Sequence, residues 1–163
     1  TMQNAATLYH QAFTLQHDGQ FHQAEALYRQ VLQLQPNHAD ALHMLGVGYY
    51  QSNKIEDAIV CIEKALAINP RHLNYLNNHG LILCAANQPE AALKSFQQAV
   101  LLQPKDLDCQ LNIANTLLDL ARYEEAAGYY RRILRVFSKR DDIRAALCHC
   151  LSSLGNQAHA AGK

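Results

Sequence analysis

Pro36, Pro70 and Pro104 stand 34 residues apart, and the residues around them recur with the same step. A chain written this way builds a stack of like units, each burying its apolar side against the next, rather than one central core. Setting the units to begin at Ala5, Ala39, Leu73, Leu107 and Asp141 brings the columns into register. Position 4 then reads Leu8, Leu42, Leu76 and Gln110, and position 8 reads Ala12, Gly46, Gly80, Ala114 and Cys148. Position 11 reads Leu15, Tyr49, Leu83, Leu117 and Leu151. Position 20 is alanine throughout: Ala24, Ala58, Ala92, Ala126 and Ala160. Position 24 holds Tyr28, Ile62, Phe96 and Tyr130, and position 27 holds Val31, Ala65, Ala99 and Ile133.

These columns predict closely packed helix pairs. Positions 4, 7, 8 and 11 share one side of a helix at 3.6 residues per turn. Small residues at 8 and 20 let neighbouring backbones approach, and large ones at 4, 11 and 24 fill the space between. Gly19, Asn53, Asn87 and Gly155, near position 15, are expected to end the first helix of a unit. The proline near position 32 ends the second, because its ring has no N–H to continue the ladder. The pattern resembles the tetratricopeptide repeat from about Ala5 to the C-terminus. It is fullest in unit two, where Leu42-His43-Met44-Leu45-Gly46-Val47-Gly48-Tyr49 is followed by Ala58, Ile62, Ala65 and Pro70. The resemblance implies an all-α fold, a right-handed α-solenoid of antiparallel helix pairs. It comprises units 5–38, 39–72, 73–106 and 107–140 and a truncated fifth, 141–163, in a single domain 1–163. Gln11 and His79 at the usual leucine position, Gln110 for a large apolar residue and Ser138 for a fourth proline depart from the pattern.

Bulk properties exclude several function classes. The 163 residues are 49% hydrophobic with formal net charge +0, so no global field favours nucleic acid or a membrane surface. No apolar run approaches the roughly 20 residues that span a bilayer, and Thr1-Met2-Gln3-Asn4 does not read as a signal peptide. The five cysteines fit buried or half-buried free thiols, which favours a reducing compartment and a cytoplasmic location. Cys148, His149 and Cys150 do not read as a metal site, since helix neighbours two apart point about 200° from each other. Unit five is expected to hold a first helix from Asp142 to Leu154 and only the start of a second, Gln157 to Ala161. That reads as a segment of a longer protein.

With positions 4, 7, 8 and 11 buried, the opposite side of each first helix carries positions 2, 6, 9 and 13. Stacking lines these stripes into one concave wall, a feature of tetratricopeptide arrays. The stripes read Ala6, His10, Phe13 and His17, then Asp40, Met44, Val47 and Gln51, then Asn74, Asn78, Leu81 and Ala85. Units four and five add Asp108, Asn112, Asn115 and Asp119, then Asp142, Ala146, His149 and Ser153. Tyr9, His43, Tyr50 and Asn77 flank them. A carboxamide offers donors and an acceptor together, so Asn74, Asn77, Asn78, Asn112 and Asn115 suit a peptide backbone whatever its side chains. This row is similar to the asparagine ladders of O-GlcNAc transferases and peroxisomal import receptors, which grip an extended peptide.

The stripes hold four aspartates and neither lysine nor arginine. Modules that hold heat-shock chaperone tails use basic residues where this chain has Tyr9, His43, Asn77 and Asn78. The expected partner is therefore a neutral or basic peptide or protein segment rather than an acidic C-terminal tail. Asp40, Asp108 and Asp142 lie near helix starts, where capping is the expected role of each. Tyr9, Phe13, Met44, Val47 and Tyr50 gather toward the N-terminal half, and suit either a ligand pocket or contact with a second copy.

None of the nine histidines pairs with a nucleophile, and no phosphate loop, metal signature or carboxylate dyad appears. No catalytic residue, metal or cofactor is therefore assigned. His79 is expected to be a hydrogen-bonded interior residue. Arg131, Arg132, Arg135, Lys139, Arg140 and Arg144 read as a solvated outer face rather than a nucleic-acid patch. The leading expectation is a peptide- or protein-binding scaffold. The alternatives are a self-assembling scaffold and the substrate-recruiting arm of a larger enzyme. The latter rests on Ala24-Glu25-Ala26-Leu27-Tyr28-Arg29-Gln30-Val31-Leu32, which is similar to bacterial repeat regions placed before glycosyltransferase or sulfotransferase domains.

Overall fold

The computed structural model describes residues 3–162. Thr1, Met2 and Lys163, which the sequence places at the two ends of the domain, lie outside the described residues. Four helix pairs and a final single helix follow one another: α1 (Ala5–His17) with α2 (Phe21–Leu34), α3 (Ala39–Gln51) with α4 (Ile55–Ile68), α5 (Leu73–Ala85) with α6 (Pro89–Leu102), α7 (Leu107–Asp119) with α8 (Tyr123–Val136), then α9 (Asp141–Ala160). No strand occurs among the described residues. Each helix packs on its chain neighbours, and α1 with α3 and α3 with α5 also touch across units.

The turn inside each unit is the same device four times. Gly19, Asn53, Asn87 and Ala121 adopt φ of 80°, 60°, 59° and 57°. The next residue's N–H then reaches back five residues, as in Gln20 to the Leu15 carbonyl (2.8 Å) and Arg122 to the Leu117 carbonyl (2.9 Å). Left-handed backbone at that point satisfies the last carbonyls of the first helix and reverses the chain. The second helices stop before the prolines: Gln35, Asn69 and Gln103 leave helical geometry at φ −135°, −133° and −137°. A residue preceding proline is pushed out of the α region. Phe137 does likewise at φ −120° with Ser138 behind it, so packing of the next unit imposes the bend even without the ring.

The columns form the core. Ala24, Ala58, Ala92 and Ala126 are fully buried, as are Tyr28, Ile62 and Tyr130, with Phe96 nearly so. A Cβ built on Gly46 would lie 3.3 Å from the Ala58 carbonyl oxygen, and one on Gly80 would overlap the Phe96 ring. Glycine at these helix positions is thus what lets the paired backbones meet. His79 spans the pair instead of packing as leucine. Its Nδ1 lies 2.8 Å from Ser95 Oγ and its Nε2 3.3 Å from Glu63. Gln110 donates to the Pro104 carbonyl at 2.6 Å. Gln11, with Thr7 and Thr14, is exposed because the flank of α1 that later units pack on a preceding helix meets solvent here.

Three expectations need correction. Gly155 does not end a helix: α9 runs unbroken for 20 residues, and Gln157–Ala161 starts no second helix. Gly155 keeps right-handed helical geometry where Gly19 takes φ 80°, so the i→i−4 bonds continue through it. Among the described residues no second helix covers α9, so Cys148 and Leu151 are exposed at normally covered positions; Cys148 is not a buried thiol, whereas Cys150 is buried. Asp40, Asp108 and Asp142 are not N-caps but stand in the first turns of their helices, where a carboxylate favours the dipole. The capping side chains are Asn4 (2.8 Å to Thr7 N), His38 (3.1 Å to Ala41 N) and Asp106 (2.8 Å to Cys109 N).

Candidate peptide-binding wall

Along the five first helices the expected stripe residues lie at graded depth. Ala6, His10, Phe13 and His17 of α1 are exposed. Asp40 and Gln51 of α3 are exposed, with Met44 and Val47 half-buried between them. On α5, Asn74, Leu81 and Ala85 are exposed and Asn78 is half-buried. On α7, Asp108, Asn115 and Asp119 are exposed and Asn112 is half-buried. The stripe of α9 alternates exposed Asp142 and His149 with half-buried Ala146 and Ser153.

Side chains stitch the first helices together along this wall, and the stitching decides which carboxamides are free. Asn77 is not free. Its Nδ2 lies 3.2 Å from Cys109 Sγ, and that thiol, pushed up to about 11 by burial, donates back to Asn77 Oδ1 at 3.3 Å. Asn78 Nδ2 lies 2.7 Å from His43 Nε2. An amide nitrogen only donates, so the imidazole carries its proton on Nδ1, and Asn78 Oδ1 has no partner among the described residues. Asn115 is held the opposite way: its Oδ1 accepts from the Tyr130 hydroxyl at 2.7 Å, and its Nδ2 has no partner among the described residues. The Asn112 carboxamide has no partner among the described residues. Only its backbone oxygen is used, by Thr116 Oγ1 at 2.7 Å.

Three other expected wall residues lie deeper than their register suggests. His43 is buried in the α3–α5 seam, its ring 4.7 Å from that of Tyr75, which stacks on His72 at 3.7 Å. Burial first, then the nearby His72, lowers its pKa to about 4, against a partial opposing effect of Asp40. A flanking position one residue off the stripe turns a side chain about 100° toward the neighbouring helix, which is why His43 is packing rather than surface. Tyr9 is half-buried against His38, ring to ring at 5.0 Å, and Tyr50 packs half-buried on the same core. Phe13, by contrast, is 45% exposed.

Phe13, Met44 and Val47 come together. With Gln16, His17 and Gln51 they line a depression of about 180 Å³ between α1 and α3. Gln16 was missed by the stripe argument because it occupies position 12, which turns inward. It is 8% exposed and pinned at both ends, donating to the Met44 carbonyl at 3.0 Å and accepting from Tyr28 at 2.8 Å. The signal was in the sequence: the position-24 tyrosines, Tyr28 and Tyr130, occur in the units whose wall amides they hold.

The wall is acidic but less so than its aspartates suggest. Asp40 accepts from the Tyr75 hydroxyl, and Asp142 takes both oxygens to Arg140 at 3.0 and 2.8 Å. Neither Asp108 nor Asp119 forms an ion pair among the described residues. The rest of the cationic run behaves as solvated surface: Arg132 lies 4.3 Å over the Tyr129 ring, and Arg144 pairs with Asp141 at 2.8 Å. No group of three or more metal-ligating side chains gathers among the described residues, and no helix there is long and apolar enough to cross a membrane.

A family model described as tetratricopeptide repeat matches residues 3–71, and one described as anaphase-promoting complex, cyclosome, subunit 3 matches residues 51–133. The chain is a tetratricopeptide-repeat protein. No curated protein sequence matches it. Among solved structures, the repeat domain is similar to the crystal structure of MamA protein, at TM-score 0.86 and 17% identity, covering 97% of this chain and 86% of that one. It is also similar to YrrB, described as a TPR protein with an unusual peptide-binding site, at TM-score 0.85 and 22% identity, covering 94% and 79%. A third likeness is the first TPR of Spaghetti (RPAP3) bound to HSP90 peptide SRMEEVD, at TM-score 0.70 and 18% identity, covering 72% and 96%. At these identities the likeness establishes the fold.

Proposed function

We propose that this tetratricopeptide-repeat protein is a non-catalytic interaction scaffold whose first-helix wall grips an extended segment of a partner protein by its backbone. The observation that carries the reading is the pair Asn78 and Asn112, equivalent positions one unit apart, with Asn115 a turn away. One presents an open acceptor, one is wholly open, and one presents an open donor. Peptide groups need both kinds of partner. Structural neighbours described as binding peptides support the general role. The acidic HSP90 peptide held by one of them does not suit this wall, where the stripes carry no lysine or arginine. A neutral or basic segment fits, and the free thiols Cys61, Cys84, Cys109, Cys148 and Cys150 fit a reducing compartment such as the cytoplasm. Peptides selected from a random extended library by the immobilised chain provide ligands for the test. Asn78→Ala with Asn112→Ala should weaken them by about 1–3 kcal/mol in calorimetric titration. Unchanged affinity overturns backbone gripping.

Self-association is the second reading, and a specific surface favours it. Leu34, Ile68, Leu101, Val136 and Phe137, all near the ends of second helices, are 52%, 41%, 79%, 74% and 43% exposed. Such an apolar ridge marks a contact surface. Sedimentation of the chain against Leu101→Ser with Val136→Ser tests it, and a strictly monomeric parent removes it.

A further inference from the structure

We infer that the depression between α1 and α3 is a socket for one large apolar side chain, leucine, methionine or phenylalanine, of a bound extended segment. The inference rests on the peptide-binding reading of the wall and specifies what that ligand must contain. The depression lies at the same unit positions as the open asparagines, one and two units earlier, so one chain laid along the wall crosses both. Its volume of about 180 Å³ suits a single side chain, against the roughly 300 Å³ and upward of pockets for drug-sized molecules. Phe13, Met44 and Val47 form its apolar side, and His17 and Gln51 its polar rim. Methionine adapts to differing side-chain shapes.

The floor is built in advance. Gln16, nine-tenths buried, has its donor on the Met44 carbonyl and its acceptor under the Tyr28 hydroxyl. Those bonds tie α1 to α3 and engage one donor and one acceptor site of the carboxamide. Tyr28 is itself fully buried, so the floor is anchored in the core.

Charge and spacing complete the ligand. Neighbouring helices lie about 8–10 Å apart, and an extended chain advances about 3.3 Å per residue. The apolar anchor therefore stands about four residues from the peptide group at Asn78 and about seven from the one at Asn112. Asp108 and Asp119 flank Asn112 and Asn115 on α7 without ion pairs among the described residues. A lysine or arginine belongs there. The occupant is a partner segment with an apolar anchor and, about seven residues along, a basic residue.

Selection from a random dodecamer library on the immobilised full chain tests this. Enrichment of large apolar residues at one position, with basic residues about seven places away, is the expected result. Phe13→Ser with Val47→Ser should abolish the apolar preference and weaken selected peptides roughly tenfold or more. An anchor-to-alanine peptide should bind parent and variant equally. Phe13 and Val47 are not fully buried, and Leu101→Ser, on the apolar ridge of the second helices, serves as the control that should leave selection unchanged. Bound peptides without an apolar position overturn the socket while leaving backbone gripping intact. A library from which nothing binds overturns both.

Discussion

Ala121 occupies a backbone conformation that its three counterparts meet with Gly19, Asn53 and Asn87. An L-residue other than glycine or asparagine in that region carries about 1–2 kcal/mol of steric cost. Part of the relief from glycine is returned as unfolded-state entropy. Ala121→Gly should therefore raise stability by about 0.5–1 kcal/mol, read from the midpoint of urea unfolding at constant slope. Two helical glycines divide in the opposite way. A Cβ at Gly80 overlaps the buried Phe96 ring, whereas one at Gly128 has nothing within 4 Å. Gly80→Ala should cost about 1–3 kcal/mol by overpacking, and Gly128→Ala should gain about 0.5–1 kcal/mol from helix propensity. Equal shifts at the two sites would mean that Phe96 yields freely.

Helices show the same residue serving two roles at one unit position. Gly19 sits at φ 80° between α1 and α2, while Gly155 lies inside α9. Gly19→Ala should destabilise by about 1 kcal/mol. Gly155→Ala should raise helical content with no loss of stability, as circular dichroism would record. The seam of α3 and α5 adds a pH dependence. His43, with a native pKa of about 4 against an ordinary 6.5, stays neutral when folded and takes up a proton when unfolded. The unfolded state then binds more protons, so stability is full above pH 6.5 and falls as pH drops toward 4. The total loss is about 3 kcal/mol at 1.36 kcal/mol per unit. Denaturation curves across that range, with His43→Gln flattening the decline, check it. Helix order and turn positions were legible because Pro36, Pro70 and Pro104 and the invariant alanines mark them directly. The continuity of α9 was not, because glycine permits a left-handed stop without requiring one: Gly19 takes it and Gly155 does not.

For the molecule as a whole, the informative quantity is the contrast between its faces. Asp108 and Asp119 form no ion pair among the described residues, while the described cations lie on the second helices, in the turns and, as Arg144, on α9. Affinity for a basic peptide should fall as salt rises, since exposed charges are screened within about 8–10 Å at moderate ionic strength. Asp108→Asn with Asp119→Asn should remove most of that salt slope in titrations at two ionic strengths. Register gives which first-helix residues share a stripe, though not their depth: Phe13 is exposed where Val47 is half-buried. The hydrogen bonds along the stripe were not legible. Whether Asn77 is tied to Cys109, or Asn78 shares His43, depends on contacts across units 32 and 35 residues apart, which no local spacing encodes. The identical 34-residue step has a use beyond stability. Each module adds about one helix spacing to the stack, the length of roughly three residues of an extended chain. On the proposed peptide-binding reading, copying 73–106 in tandem would lengthen the sequence read by a fixed increment, a molecular ruler graduated in triplets.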